Sequence, residues 1–270
     1  MKITFIGGGN MATALIGGLK KQGFSVAGIQ VVEPFAEARE RLTETFGVRC
    51  TATIDAAALN CEVLVLAVKP QQMKEALAAA SGKLTDQLVI SIAAGLRLID
   101  IGRWLGGHTR LIRAMPNTPA LIGAGITGLY AATTVDREER GIAEKILAAV
   151  GRTLWVEDEA LMDVVTAVSG SGPAYVFYFI ESLQNAGAAL GLPLDTARLL
   201  AVETFLGAAR LADASSDPVS VLRERVTSKG GTTAAALDAF AAAGIPAAIA
   251  KGVDAAAARG RALCDQLGQS

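Results

Sequence analysis

The first 157 residues alternate between short apolar runs rich in β-branched residues and longer stretches with helical apolar spacing. Lys2–Ile6 is the first short run, and it leads straight into Gly7-Gly8-Gly9. Asn10 to Lys21 then sets Met11, Ala14, Leu15 and Leu19 on one helical face, with Gly23 as the stop. Gly28 to Glu33 predicts a second strand, Pro34 the start of a helix running through Phe46, and Gly47 its close. Val63 to Val68 is continuously apolar, as expected of a strand covered on both faces of a parallel sheet. A helix over 71–81 and a strand from Leu88 to Ile92 follow. Further strands are expected at Arg110–Ala114, near Ile126–Ala131 and at Thr153–Val156, with a helix over 136–150 before the last. This alternation with short connections predicts an α/β N-terminal domain, a Rossmann-type doubly wound sheet.

After about residue 158 the strand signals vanish. Alanine dominates, and Leu, Val and Phe recur at helical spacing almost to the C-terminus, so a packed all-α C-terminal domain is expected rather than a low-complexity tail. Gly191-Leu192-Pro193, Ser215 to Pro218, Lys229-Gly230-Gly231 and Gly244-Ile245-Pro246 punctuate it. The boundary falls within 157–163, giving domains of 1–158 and 159–270.

Composition narrows the function classes. The chain has 270 residues, half of them apolar and 19% charged, enough for a sizeable core. A net charge of -1 without any strongly basic stretch argues against nucleic acid as a partner. Cys50, Cys61 and Cys264 are far apart and match no zinc spacing, so reduced thiols and no metal are expected. The chain opens as a strand entering a glycine loop, not as a signal peptide, and its apolar runs break before about 18 residues. No membrane association is expected, and the cytoplasm is the natural location.

Gly7-Gly8-Gly9-Asn10-Met11-Ala12 fits G-x-G-x-x-A between the first strand and the first helix. Gly7 permits the tight turn, Gly9 lets a pyrophosphate approach the backbone, Ala12 keeps helix and strand close, and the helix N-terminus offers N–H donors. Glu33, at the end of the second strand, suits the adenosine ribose hydroxyls and would repel a 2′-phosphate, which tilts the reading towards NADH. It could equally be an N-terminal acid of the helix after it, with Arg39 and Arg41 near enough to meet a phosphate.

Ligands in an open parallel sheet sit beyond the carboxyl ends of the strands. Three connections leave that edge. In Ala67-Val68-Lys69-Pro70-Gln71, Pro70 forces Lys69 into an extended conformation, aiming backbone groups at the cofactor, although Lys69 could also be a solvated cation. In Ser91-Ile92-Ala93-Ala94-Gly95 the small residues leave room for a nicotinamide or serve tight packing. In Arg113-Ala114-Met115-Pro116-Asn117-Thr118-Pro119 two prolines stiffen a loop from which Asn117 could orient the carboxamide or the substrate, or simply shape the turn. In the helical half, Val168 to Ala174 and Val226 to Thr233 each interrupt a helix with glycines and hydroxyls. Such turns can cradle a small carboxylate or act only as N-caps.

Taken together, Phe5 to Ala12, Leu66 to Gln71, Ser91 to Gly95, Arg113 to Pro119, Ser169 to Tyr175 and Val226 to Thr233 strongly resemble pyrroline-5-carboxylate reductases, in order and along nearly the whole chain. The resemblance implies reduction of 1-pyrroline-5-carboxylate to proline by NADPH or NADH, the last step of proline synthesis. It implies a homodimer through interlocking helical domains, with dimers able to assemble into rings and the substrate loop facing the nicotinamide. Carried over by position, Thr233 hydrogen-bonds the imine nitrogen, and Gly230, Gly231 and Thr232 hold the carboxylate through backbone N–H groups, with Ser228 and Asn117 in the same substrate set. The cofactor set comprises Ile6, Gly7, Gly8, Gly9, Asn10, Met11, Ala12, Glu33, Ala67, Val68, Lys69, Pro70, Ala93, Ala94, Gly95 and Pro116. Lys229 stands where many relatives have proline.

The residue inventory agrees with that chemistry. His108 is the sole histidine, in a Gly-Gly-His turn that reads as exposed. An alcohol dehydrogenase usually needs a base for the hydroxyl proton, whereas a protonated imine is neutralised by hydride directly, so a threonine hydroxyl suffices for the nitrogen. Two other readings compete: a β-hydroxyacid dehydrogenase, for which Lys229 is imperfectly placed before its glycines, and a nicotinamide-sensing regulator, which the two hydroxyl- and glycine-rich turns disfavour.

Overall fold

The structure, a computed structural model, describes residues 1–269 and divides into two compact units, Met1–Ser171 with 256–269, and Gly172–Ala255. The first unit is built on β1 (Ile3–Ile6), α1 (Asn10–Lys21), β2 (Ile29–Val32), α2 (Ala36–Phe46), β3 (Arg49–Thr51), α3 (Ala56–Leu59), β4 (Val63–Leu66), α4 (Met73–Leu77), β5 (Leu88–Ser91), α5 (Leu98–Trp104), β6 (Leu111–Met115), β7 (Gly125–Ala131), α6 (Arg137–Leu147), β8 (Gly151–Trp155) and α7 (Leu161–Val165). The second holds α8 (Gly172–Ala189), α9 (Leu194–Ala214), α10 (Val219–Arg225), α11 (Thr232–Ala242) and the first part of α12 (Ile245–Gly268).

The eight strands lie in the order β3-β2-β1-β4-β5-β6-β7-β8. All neighbours are parallel except β6 and β7. The order reverses between β1 and β4, and that switch point is where a doubly wound sheet offers its crevice. Period-two alternation splits the buried residues between two faces. Ile3, Phe5, Val31, Val63, Val65 and Ile90 pack under α1, α2 and α6. Ile6, Val32, Leu64, Leu66 and Val89 pack under α4 and α5. This two-sided burial explains why the strands read as unbroken apolar runs.

The chain differs from its sequence reading in several places. Pro34 lies outside α2, whose N-cap is Phe35, because the turn after β2 takes two residues to redirect the chain. The helix expected over 71–81 is α4 flanked by single 3-10 turns at Pro70–Gln72 and Ala78–Ala80. The compact first unit runs on past 158 to Ser171 and reclaims the C-terminal residues from Ala256. The reason is visible in buried contacts. Asp163 of α7 pairs with Arg113 of β6 at 2.9 Å, and Cys264 of α12 is buried beside both. Near the chain end, Arg97 pairs with Asp265 at 2.7 Å and Arg103 donates to the carbonyl of Gly268.

In the second unit α8 and α9 pack as a helical hairpin, close enough that a Cβ on Gly187 would lie 3.3 Å from that of Ala197. Only Ala197 and Ala201 of this unit are buried, while Phe177, Tyr178, Leu199, Leu200 and Leu211 are largely exposed. Among the described residues no single helix is long and apolar enough to cross a membrane; α11 and α12 meet that test only when joined across a 54° bend.

Candidate active site

The carboxyl edge of the sheet gathers the loops after β1, β4, β5 and β6. Gly7, with φ +100, donates its N–H to the carbonyl of Val32, and a Cβ there would stand 2.8 Å from the Ala67 carbonyl oxygen. Only glycine lets the first loop pass so close to the fourth-strand connection. Gly9, the N-cap of α1, has no side chain capping the helix, and a Cβ built on it would meet nothing within 4 Å. Open space in front of uncapped helical N–H groups is what a dinucleotide pyrophosphate requires. Ala12 is buried against the core and Asn10 is exposed. Ile6 is buried at the end of β1, with Met11 half-buried. The residues present therefore fit the cofactor.

Glu33 is 7% exposed, and its carboxylate accepts from the N–H of Gly8 at 2.8 Å and of Phe35 at 3.0 Å. It joins the glycine loop to the entry of α2. Arg39 donates instead to the backbone carbonyls of Glu33 and Pro34, at 2.8 and 2.7 Å. Ala67 and Val68 are half-buried. Lys69 is exposed and extended (φ -61, ψ 143) before Pro70, as the proline dictates. Ala93 and Gly95 are buried and Ala94 half-buried; a Cβ on Gly95 would meet that of Leu263 at 3.1 Å, so α12 lies against this loop.

Pro116 and Asn117 are buried after β6. Asn117, expected to orient a ligand, is instead turned inward. Its Nδ2 donates to the Ser169 carbonyl at 3.2 Å, and its Oδ1 accepts from Ile126 N–H at 3.0 Å. It ties the loop to the start of β7 and to a π-helical turn, Thr166–Gly170, that follows α7. The segment 166–170 thus prolongs α7 as a wider turn: Ser171 N–H reaches back five residues to Thr166, and Ser169 Oγ donates to the Val165 carbonyl.

His108 is half-buried, not exposed, and its Nε2 lies 2.8 Å from the Gln87 carbonyl oxygen. It precedes β6, and so lies at the amino edge of the parallel strands, opposite the glycine loop. No three His, Cys, Asp or Glu side chains among the described residues are grouped to hold a metal ion. Burial pushes the Cys61 and Cys264 thiols up, and all three cysteines are free.

In the second unit Ser228, Lys229, Gly230 and Thr232 are exposed, and Gly231 and Thr233 half-buried. Gly230 has φ +72, and Gly231 N–H closes a turn on the Ser228 carbonyl at 3.0 Å. Gly231 is the N-cap of α11, and none of the three nearby hydroxyls caps it. By contrast α6 starts with a reciprocal Asp136–Glu139 capping box. The Tyr175 hydroxyl, buried without a partner among the described residues, had no signal in the sequence beyond its place in the Ser169–Tyr175 segment.

A doubly wound sheet with a glycine-lined, uncapped helix N-terminus at its switch point, followed by a helical unit, defines a nicotinamide-dinucleotide oxidoreductase. The N-terminal part, residues 2–95, matches the model described as NADP oxidoreductase coenzyme F420-dependent, and residues 159–263 match pyrroline-5-carboxylate reductase dimerisation. The chain belongs to the pyrroline-5-carboxylate reductase family: it is 44% identical to the Pseudomonas aeruginosa pyrroline-5-carboxylate reductase over 269 residues, 99% of this chain and 98% of that protein. The solved structure of a Coxiella burnetii pyrroline-5-carboxylate reductase matches with TM-score 0.91 at 42% identity, covering 97% of this chain and 98% of that one. The Plasmodium falciparum pyrroline carboxylate reductase, solved with NADP bound, matches with TM-score 0.86 at 28% identity, covering 98% of each chain.

Proposed function

We propose that the chain reduces 1-pyrroline-5-carboxylate to L-proline with NADH or NADPH. The observation that carries this reading is the turn Ser228–Thr233, whose glycines and hydroxyls open into α11 without capping it. A helix start left uncapped suits a small carboxylate. Backbone N–H groups of Gly230, Gly231 and Thr232 hold the carboxylate, Ser228 borders it, and the Thr233 hydroxyl hydrogen-bonds the ring nitrogen. Ala93, Ala94, Gly95 and Pro116 leave room for a flat ring at the carboxyl edge of the sheet, beside Ala67, Val68, Lys69 and Pro70. Asn117 acts as a positioning residue by fixing the Pro116 loop.

When bound, the cofactor supplies a hydride. The chain's own part is orientation, exclusion of water and a hydrogen bond at nitrogen. The imine nitrogen is protonated from solvent before transfer; carbon then gains the hydride, the C=N π electrons become the nitrogen lone pair, and the charge is cancelled. No side-chain base is consumed, in keeping with a sole histidine on the opposite edge of the sheet.

Residues 1–158 serve as the dinucleotide domain, and 159–270 as the dimerisation and substrate-loop domain. The exposed apolar faces of α8 and α9 supply a homodimer contact, dimers join into a ring, and the enzyme works in the cytoplasm on a small molecule, without nucleic acid or membrane. The test is a steady-state assay with 1-pyrroline-5-carboxylate, following loss of reduced-cofactor absorbance with NADH and NADPH in parallel. Absence of turnover with both sinks the reading.

A further inference from the structure

We infer that Glu33 makes this chain an NADH-preferring enzyme, a reading that rests on the dinucleotide site proposed above. Three observations at the turn after β2 converge. First, the Glu33 carboxylate is 7% exposed and bonded to the Gly8 N–H of the pyrophosphate loop, so it lies beside the phosphate-binding turn and not out on α2. Second, two backbone donors hold it, Gly8 N–H on one oxygen and Phe35 N–H on the other. A carboxylate has about four acceptor positions. The remaining ones are free to take hydrogen bonds from ribose hydroxyls, and the fixed rotamer requires no reordering.

Third, no side-chain cation is paired with this carboxylate among the described residues. Arg39, the nearest candidate for a 2′-phosphate, is turned onto the carbonyls of Glu33 and Pro34. Arg41 is exposed and more than a turn into α2. A 2′-phosphate at this turn would bring close to two negative charges against a buried carboxylate held in place on both oxygens. Like-charge contact of that kind disfavours the phosphorylated cofactor. The ribose hydroxyl of NADH meets the same carboxylate as a donor meeting an acceptor.

The test is cofactor binding without any imine, read by quenching of the two tryptophans and by calorimetry, on the full chain. NADH is expected to bind at least about tenfold more tightly than NADPH. ADP-ribose should displace NADH at least about tenfold better than its 2′-phosphorylated form. Glu33→Gln, close in shape, should narrow the gap from both sides, weakening NADH and tightening NADPH. Equal or tighter NADPH binding by the unsubstituted chain overturns the inference, as does a gap unmoved in Glu33→Gln. If that variant fails to fold, the two titrations and the displacement by fragments still decide. Failure of the reductase reading appears separately, as no imine turnover with either cofactor while the binding gap stands.

Discussion

Arg113 of β6 and Asp163 of α7 form a buried ion pair, with Nη2 2.9 Å from Oδ1 and both residues sealed from solvent. Glu159 stands 3.6 Å from the other guanidinium nitrogen, and the Cys264 sulfur lies 3.7 Å from the Asp163 carboxylate. The pair joins the strand that leads into the Pro116 loop to the helix that leads into the π turn, with the C-terminal helix against it. Removing the acid strands a guanidinium where water cannot reach it. Asp163→Ala is therefore expected to lower unfolding free energy by about 3 kcal/mol, the lower end for a broken buried pair because Glu159 compensates in part. Replacing both partners with apolar residues, Arg113→Met with Asp163→Leu, should recover more than half of that loss. Urea unfolding at one fixed chain concentration checks both, since an oligomer's stability depends on concentration.

Gly7 and Gly9 separate folding from binding within one loop. A Cβ on Gly7 would meet the Ala67 carbonyl at 2.8 Å and would sit at φ +100, so Gly7→Ala should cost about 2 kcal/mol or more in stability. Gly9 has φ -71 and open space where its Cβ would go, so Gly9→Ala should cost less than about 1 kcal/mol, the scale of a lost helix-cap preference. It nevertheless fills the space a pyrophosphate needs, and NADH affinity should fall at least about tenfold. Thermal unfolding and NADH titration of the two variants check the split. A Gly9→Ala chain that binds NADH normally would remove the loop from the cofactor site.

The doubly wound sheet was legible because its central strands are covered on both faces, and Val63–Leu66 or Leu88–Ser91 can read only as buried strands. The glycine loop was legible for a local reason: its spacing and its place between strand and helix lie within a dozen residues. Edge strand β3 was missed because Arg49-Cys50-Thr51 is short and has one neighbour, and α5 because seven residues are too few for a period. The antiparallel turn of β7 could have been read from the nine residues between Met115 and Gly125, fewer than a parallel crossover needs. Asn117 was legible only as a choice between orienting a ligand and shaping the turn, because one of its partners, Ile126, is nine residues away but the other, Ser169, is about 50. Asp163 was beyond reach: its partner Arg113 is 50 residues away, and no local pattern says that an acid will be buried.

Thr233 tests the substrate turn. It is the second residue of α11 and half-buried, and alanine is the better helix former, so Thr233→Ala should fold. If its hydroxyl holds the imine nitrogen, kcat should fall by about a hundredfold while NADH affinity changes by less than about threefold. Thr233→Ser, which restores the hydroxyl, should recover most of the loss, whereas Thr233→Val should not. Stopped-flow single turnovers alongside cofactor titration give both quantities. Unchanged turnover in the alanine variant would take the role from this residue.

Cys264 offers a pH signature of the packing around the buried pair. Burial is the main cause that raises its thiol above the ordinary 9.0; the Arg113 guanidinium opposes it and the Asp163 carboxylate reinforces it. Below pH 9 both folded and unfolded chains keep the proton, and stability does not depend on this group. Above 9 the unfolded chain releases it while the native chain retains it, so the unfolded state binds fewer protons and stability falls as pH rises, until the native thiol itself ionises. The slope from one thiol is at most about 1.4 kcal/mol per pH unit. Cys61, raised chiefly by burial, adds to it in the same direction. Urea unfolding under reducing conditions at pH 8 and pH 10 should show a steeper decline for the unsubstituted chain than for Cys264→Ala, and a further flattening in the Cys61→Ala, Cys264→Ala pair. Every other ionisable group is common to the three chains, so the comparison between them isolates the thiols. Identical slopes would mean that the end of α12 does not shield Cys264 in solution.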